Sequence, residues 1–414
     1  MAAADVTTIE AALKEGWTQD NLEVQFMKED PVLEAIGVTS PDQMVGEYAL
    51  TGVHTGRGGG ITKVPSTGSK ELNAPGPEQT NQAKWKLRRL VGAVEIDTGA
   101  IKQTQNKSQS VANVVDLETE GKISTARKQL TSELMRDQTG LICQLGTNTT
   151  TKTLKLATSG EYGLGVEATM QGWLNEGQLI DIGTTTEEAA IADGVEITAV
   201  NDDESEPSIT ISGSNVSTTG SHYVSIKNGR SGETSYDING LRNIASRTSK
   251  LGEINPSTEN AWKAAFVDTS GGDLTRQRVI SGRRKVRKKG KRPDWAISSL
   301  EQVEVLENET YPQVRFDSTD KQNTGDGESI KIGNLTVQGH EDTPRGDFTY
   351  LSKAHLKMLR DEKPYWHGEK FGSGILQIKA GTTFVYGSFE WFVEAITNRR
   401  NVYGQFRKLT VPTT

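Results

Sequence analysis

A single cysteine, Cys143, stands in this chain of 414 residues, so no internal disulfide framework holds it together. It lies in the apolar run Leu141-Ile142-Cys143-Gln144-Leu145, where a small buried hydrophobe is the expected role. No run of about 18 apolar residues occurs, which excludes an apolar membrane-spanning helix. The start, MAAADVTTIEAALKEG, lacks a basic stretch followed by an apolar one. Secretion is therefore not expected, and the protein is expected to be made and used in a reducing cytoplasm.

Signatures of catalysis are missing as well. The five histidines, His54, His222, His340, His355 and His367, are scattered, and none stands in a His-Glu-x-x-His arrangement. One cysteine cannot make a Cys-based zinc site, and no Gly-x-Ser-x-Gly elbow is present. The tract Thr55-Gly-Arg-Gly-Gly-Gly-Ile-Thr-Lys63 lacks the Gly-Lys-Ser/Thr ending that places a lysine and a hydroxyl on phosphate and magnesium. His340-Glu341-Asp342 ends a strand pattern and reads as a solvated turn. No enzyme, cofactor or metal is expected.

Aromatics make up only 6% and hydrophobic residues 34%, while glycine fills 43 positions. That is lean for an enzyme of this size. It suits a subunit with thin, extended parts whose remaining apolar surface is buried by neighbouring copies. The net charge of −7 bears on solubility and not on fold.

Along the chain, residues 1–48 carry short helical signals that Pro31 and Pro41 are expected to interrupt, as in an arm lying on other surfaces. Residues 52–82 are dominated by Gly, Pro, Ser, Thr and Asn. Segment 46–54 is expected to pair with 84–97 as a long hairpin with a flexible tip. An isolated hairpin is marginal in water, so it needs a surface to lie on. Residues 108–140 read as one long amphipathic helix. Val111, Val114, Val115, Ile123, Ala126, Leu130 and Leu134 would line its apolar face, with Gly121 a weak point within it and Gly140 its end. Between 152 and 226 come short strands, including the pair Gly172–Gly183, with Asn228-Gly229 as a turn and the acidic stretch 201–207 as a solvated loop. From 237 the pattern mixes helix and strand: a helix from Asp273, a buried strand at 293–299, a short helix after it, and a β-rich end.

The strongest local charge signal is basic. Ten of the seventeen residues from Arg276 to Arg292 are Lys or Arg, and the remaining 37 basic residues face 54 acidic ones. Arg283, Arg284, Lys285, Arg287, Lys288 and Lys289 form its centre. They fit ion pairing with an acidic surface of the next copy, or contact with a nucleic-acid backbone. No interleaved aromatics favour single-strand stacking, and the intersubunit role is preferred.

This order of elements resembles the major capsid proteins of tailed bacteriophages with the Hong Kong 97-type fold. Gly-Trp-Leu-Asn-Glu-Gly-Gln-Leu-Ile-Asp-Ile (172–182) looks like the strands of that family's axial domain. Asp-Ile-Asn-Gly-Leu-Arg-Asn-Ile-Ala-Ser (237–246) and the ending Asn-Arg-Arg-Asn-Val-Tyr-Gly-Gln-Phe-Arg-Lys-Leu (398–409) resemble further segments. The resemblance implies an α+β fold with an N-terminal arm at 1–48 and an extended hairpin loop with its flanking strands at 49–97. A peripheral domain with a spine helix would take 98–150. An axial domain at 151–375 would carry a small β insertion at about 171–230, and 376–414 would return to the peripheral domain. It implies pentamers and hexamers of this chain forming an icosahedral head shell around double-stranded DNA, assembled in the bacterial host cytoplasm, without a membrane. Scaffolding, portal and decoration proteins are the partners it implies. Arg57, Lys63 and Lys70 in the loop are its intersubunit residues, and residues 52–82 are expected to be mobile in a free subunit and ordered in a shell. An encapsulin-like compartment or another virion protein is the alternative, and a nucleic-acid-binding protein using the basic run a remote one.

Overall fold

The computed structural model describes residues 30–41, 44–56, 58, 61–64, 66–67, 71, 73–74, 76–98, 110–310, 329–370, 376–378 and 381–411. Two units form, each from three stretches of chain. One gathers Met1–Ser40, Leu87–Gly240 and Met358–Ala395; the other gathers Pro41–Lys86, Leu241–Lys357 and Ile396–Thr414.

In the first unit one sheet is organised on the strand Phe384–Thr397. Arg88–Asp97 runs antiparallel to it in unbroken register, from Phe384 opposite Asp97 to Val393 opposite Arg88. Tyr365–Trp366 and Gln377–Ile378 pair with the same central strand, and Gly37–Thr39 forms one edge beside Leu356–Arg360. The sequence reading joined 84–97 into a single strand facing 46–54, and the structure corrects this. The chain breaks at Leu87, and only Lys84–Lys86 stays with Tyr48–Gly56, as part of the strand Gln79–Lys86. The buried positions explain the break. Ala83 and Trp85 are buried on one side of it, Val94 and Ile96 on the other. Side chains alternate with a period of two, so this odd-to-even change of phase cannot be served by one continuous strand.

Pro31 also departs from expectation. It opens the helix Pro31–Ala35 and interrupts nothing, because a first-turn residue needs no backbone N–H. Asp30 caps this helix, its Oδ1 accepting from the Val32 and Leu33 N–H groups at 2.8 and 3.0 Å. Asp30 Oδ2 accepts from the Thr131 hydroxyl at 2.6 Å, and Val32, Leu33 and Ile36 are buried, so this part of the expected arm is fixed on its own chain. The rest of the arm up to residue 29 lies outside the described residues.

The long helix runs from Ser110 to Met135, 26 residues or about 39 Å. Thr119, Ile123, Ala126 and Leu130 are buried at spacings of three and four; the side chains of Val111, Val114 and Val115 lie outside the described residues. From Leu130 onward burial covers every side of the helix. It stops before Gly140, and past its end the Arg136 guanidinium donates to the Ser132 carbonyl of the last turn at 3.2 Å and to the Leu141 carbonyl beyond the helix at 3.1 Å.

A second sheet in this unit has six antiparallel strands in the order Cys143–Gln144, Tyr223–Ile226, Leu179–Gly183, Ala192–Asn201, Ser208–Ile211, Thr153–Lys155. Cys143, Leu154, Trp173, Ile180, Ile182, Ile209 and Val224 share its core. The expected strand pair at 172–183 is a single strand, Leu179–Gly183, preceded by the short helix Gly165–Met170 and a turn. Residues 202–206 form the expected exposed loop.

In the second unit a mixed six-stranded sheet follows the order Phe266–Asp268, Gly404–Phe406, Phe348–Leu351, Trp295–Ser298, Leu335–Gly339, Ser329–Ile332. Trp295–Ser298 is buried along its whole length, as its apolar run predicts. The helices Arg276–Lys289 and Leu300–Thr310 pack on this sheet through Val279, Val286, Val303 and Leu306, against Phe348, Tyr350 and Phe406. The first of these helices starts at Arg276, capped by the Thr275 hydroxyl, and not at Asp273. In the His340–Asp342 turn, His340 and Asp342 are buried, not solvated, and only Glu341 stays exposed: the Asp342 N–H donates to His340 Nδ1 at 3.1 Å.

Candidate functional site

Among the described residues no group of three or more His, Cys, Asp or Glu side chains is placed to hold a metal ion, and no helix is long and apolar enough to cross a membrane.

The first candidate feature is the hairpin. Tyr48–Gly56 and Gln79–Lys86 pair antiparallel, Tyr48 opposite Lys86 and His54 opposite Thr80. One face buries Ala49, Val53, Thr55, Ala83 and Trp85, and the other meets solvent. Gly252 is the seat. The Lys84 N–H donates to its carbonyl at 3.0 Å, and its φ of +60° would strain any other residue. A Cβ there would also stand 2.9 Å from that of Ala83 and 3.3 Å from the Trp85 ring. Beyond the paired strands the apolar side chains have no cover: Ile61 is 91% exposed and Val64 46%. Asn73 ties the two sides together there, its N–H donating to the Thr62 hydroxyl at 2.7 Å and its amide to the Ile61 carbonyl at 3.3 Å. Lys63 is exposed beside them. Arg57 and Lys70 lie outside the described residues.

The second is the basic helix. Val279, Gly282 and Val286 form its buried stripe. Gly282 is required by close approach, since a Cβ would come within 2.6 Å of the Tyr350 hydroxyl, which donates to the Val279 carbonyl at 2.7 Å. The cations then divide. Arg278 lies over the Phe406 ring at 4.8 Å and donates to the Gly271 carbonyl at 2.6 Å. Arg283 donates to the Ile332 carbonyl at 3.1 Å; burial, with Arg292 and Arg287 nearby, lowers its pKa. Lys285 sits over Phe266 at 5.1 Å. Arg284, Arg287, Lys288 and Lys289 are exposed and, among the described residues, meet no carboxylate at ion-pair distance. The sequence run of ten cations thus contains two kinds, those that fasten the helix and those left for something else.

A third feature escaped the sequence reading. Glu133, Asp237 and Glu394 are buried in the first unit with Arg136 and Arg88. Glu133 Oε1 accepts from Gln129 at 3.0 Å and Oε2 from the Ile238 N–H at 3.3 Å. Glu394 Oε1 accepts from the Asn239 and Ala395 N–H groups at 2.6 and 2.9 Å. Burial pushes Glu133 and Glu394 up to about 8 and raises Asp237. The signal available was a glutamate inside a continuous apolar strand, Phe392-Val-Glu-Ala-Ile396.

No protein-family model matches the chain, and no curated protein does. Among solved structures, a subunit of the cyanophage A-1(L) capsid asymmetric unit superposes on it with a TM-score of 0.52 at 10% identity. The match covers 92% of this chain and 93% of that one. The chain has a phage capsid fold. Lower likenesses join it: mycobacterium phage Patience at TM-score 0.45 and 7% identity, covering 98% of this chain and 89% of that one, and an encapsulin complex from Synechococcus elongatus at 0.43 and 9%, covering 100% and 98%. The assignment of the capsid fold rests on the cyanophage subunit. The chain is α+β and strand-rich, with a mixed six-stranded sheet in the second unit.

Proposed function

We propose that this chain is the major capsid protein of a tailed bacteriophage, forming pentamers and hexamers that close into an icosahedral head around double-stranded DNA. The observation that carries the reading is the end-to-end superposition on a cyanophage capsid subunit, over nine-tenths of both chains. In this reading the hairpin Tyr48–Lys86 is the extended loop, with Arg88–Asp97 as the strand that follows it, Ser110–Met135 is the spine helix, and the six-stranded antiparallel sheet is the β insertion of the axial domain. Residues 1–48 form the N-terminal arm, and 376–414 return to the peripheral domain.

The hairpin end supports an intersubunit role because Ile61 and Val64 are exposed where their own chain offers no cover. Lys63, with Arg57 and Lys70, would add charged contacts around them. Arg284, Arg287 and Lys288 would pair with acidic surface of the next copy, giving register. Each contact is modest, and closure makes them jointly hard to break. Scaffolding, portal and decoration proteins are further partners in this reading. Assembly is expected in the host cytoplasm.

Reversing charge with Arg287→Glu and Lys288→Glu tests the pairing. Assembly should fail while DNA retained by any shells formed is unchanged. Normal assembly with reduced DNA retention would instead make this face a nucleic-acid contact.

A further inference from the structure

Lys289, the last residue of the basic helix, borders a cavity of about 670 Å³ in the second unit. The hairpin base at His54–Gly56, the turn Asn260–Trp262 with Lys263, and the segment 398–401 form its other walls. Lys263, Lys289, Arg399, Arg400 and His54 line it, and among the described residues no aspartate or glutamate does. Two of these groups are already occupied. His54 Nε2 meets Glu78 at 2.5 Å. Arg400 is fully buried, and its guanidinium donates to the carbonyls of Ile244, Asn243 and Ser249 at 3.1, 2.7 and 2.7 Å. Those carbonyls solvate the guanidinium without neutralising it, so Arg400 places a full positive charge in the cavity wall.

Three cations remain available. Arg399 Nε donates to a neutral partner, Asn401 Oδ1, at 3.1 Å. Lys289 is held below its ordinary pKa by burial and by the charges of Arg247 and Lys263. Like charges gathered in one concave site repel, and an anion placed among them removes that cost. One carboxylate supplies a single negative charge. A ligand small enough for this volume that matches several cations is a chain of phosphates.

We propose that this cavity binds a compact oligophosphate, with Lys263, Lys289 and Arg399 as its ligands and the Asn260 and Asn401 amides at its edge. The site would clamp the hairpin base to the end of the basic helix. Its existence does not depend on the shell reading. The phosphates have two possible sources, a free oligophosphate or the backbone of nucleic acid.

Calorimetric titration of the full chain with inorganic tripolyphosphate at low salt tests the site. Saturable binding near one per chain is expected. Lys263→Ala with Lys289→Ala should weaken it at least tenfold, while Arg284→Ala with Arg287→Ala leaves it within twofold. A variant-free readout is lysine acetylation of the wild type followed by mass spectrometry: tripolyphosphate should protect Lys263 and Lys289 and leave Lys288 reactive. Competition by a short DNA duplex at equal phosphate concentration would assign the source to nucleic acid, and absence of competition would assign it to free oligophosphate. No saturable binding, or equal reactivity of Lys288 and Lys289 with ligand present, overturns the proposal.

Discussion

A carboxyl group held neutral by burial works against its fold once it ionises. Gln129, Arg136 and Asp237 face Glu133, Arg88 and Asn239 face Glu394, and Asp137 and Arg230 add their charges beside Asp237. The folded pKa of Glu133 and Glu394 stands at about 8, above the ordinary 4.5. Their contribution to stability is therefore complete below the ordinary value and lost as pH rises through about 8. Melting temperature should fall between about pH 5 and about pH 9, and Glu394→Gln, which keeps the oxygen accepting from Asn239 and Ala395, should flatten that fall. Identical slopes in both proteins would show that Glu394 is ionised in the fold. At Gly252 the expected effect is steric: Gly252→Ala should cost about 1–3 kcal/mol in denaturant unfolding. Gly252 carries no mark in the sequence, and Glu394 only that of a lone acid in an apolar strand. What each residue meets is set by chain far away, Ala83 and Trp85 for Gly252, and the turn before Gly240 for Glu394.

Elements were more legible than contacts. The strand Trp295–Ser298, the helix Leu300–Thr310 and the basic helix lie where apolar runs and periodicity placed them, because local pattern and final burial agree there. Errors came where two elements share one continuous pattern. The change of phase between Trp85 and Val94 reads as alternation throughout unless the buried positions are counted, and the helix end at Met135 is not marked by Gly140. In the long helix, Gly121 is exposed and a Cβ there meets nothing, so Gly121→Ala should stabilise the chain by about 1 kcal/mol. Thermal unfolding checks this, and a loss of stability would mean that the glycine serves a contact with another molecule. For the hairpin, Ile61→Ser with Val64→Ser should leave the circular dichroism and melting of a free subunit unchanged while weakening association, measured by sedimentation. A fall in subunit stability would place these side chains in their own chain's core.

At the scale of the whole molecule, lean hydrophobic content and an acidic body with one basic helix are what the proposed shell subunit would need to leave surface for other copies. The fold agrees with that composition. Composition and element order together made the capsid fold legible, while the division of the basic run into fastening and free cations needed the packing of Phe266, Phe406 and Ile332 around it. The central claim is self-assembly. Electron microscopy of the purified chain, over a range of concentration and salt, tests it most directly. Uniform polyhedral shells or ring-shaped capsomers of five and six subunits are predicted. A particle that stays monomeric under every condition would contradict the account.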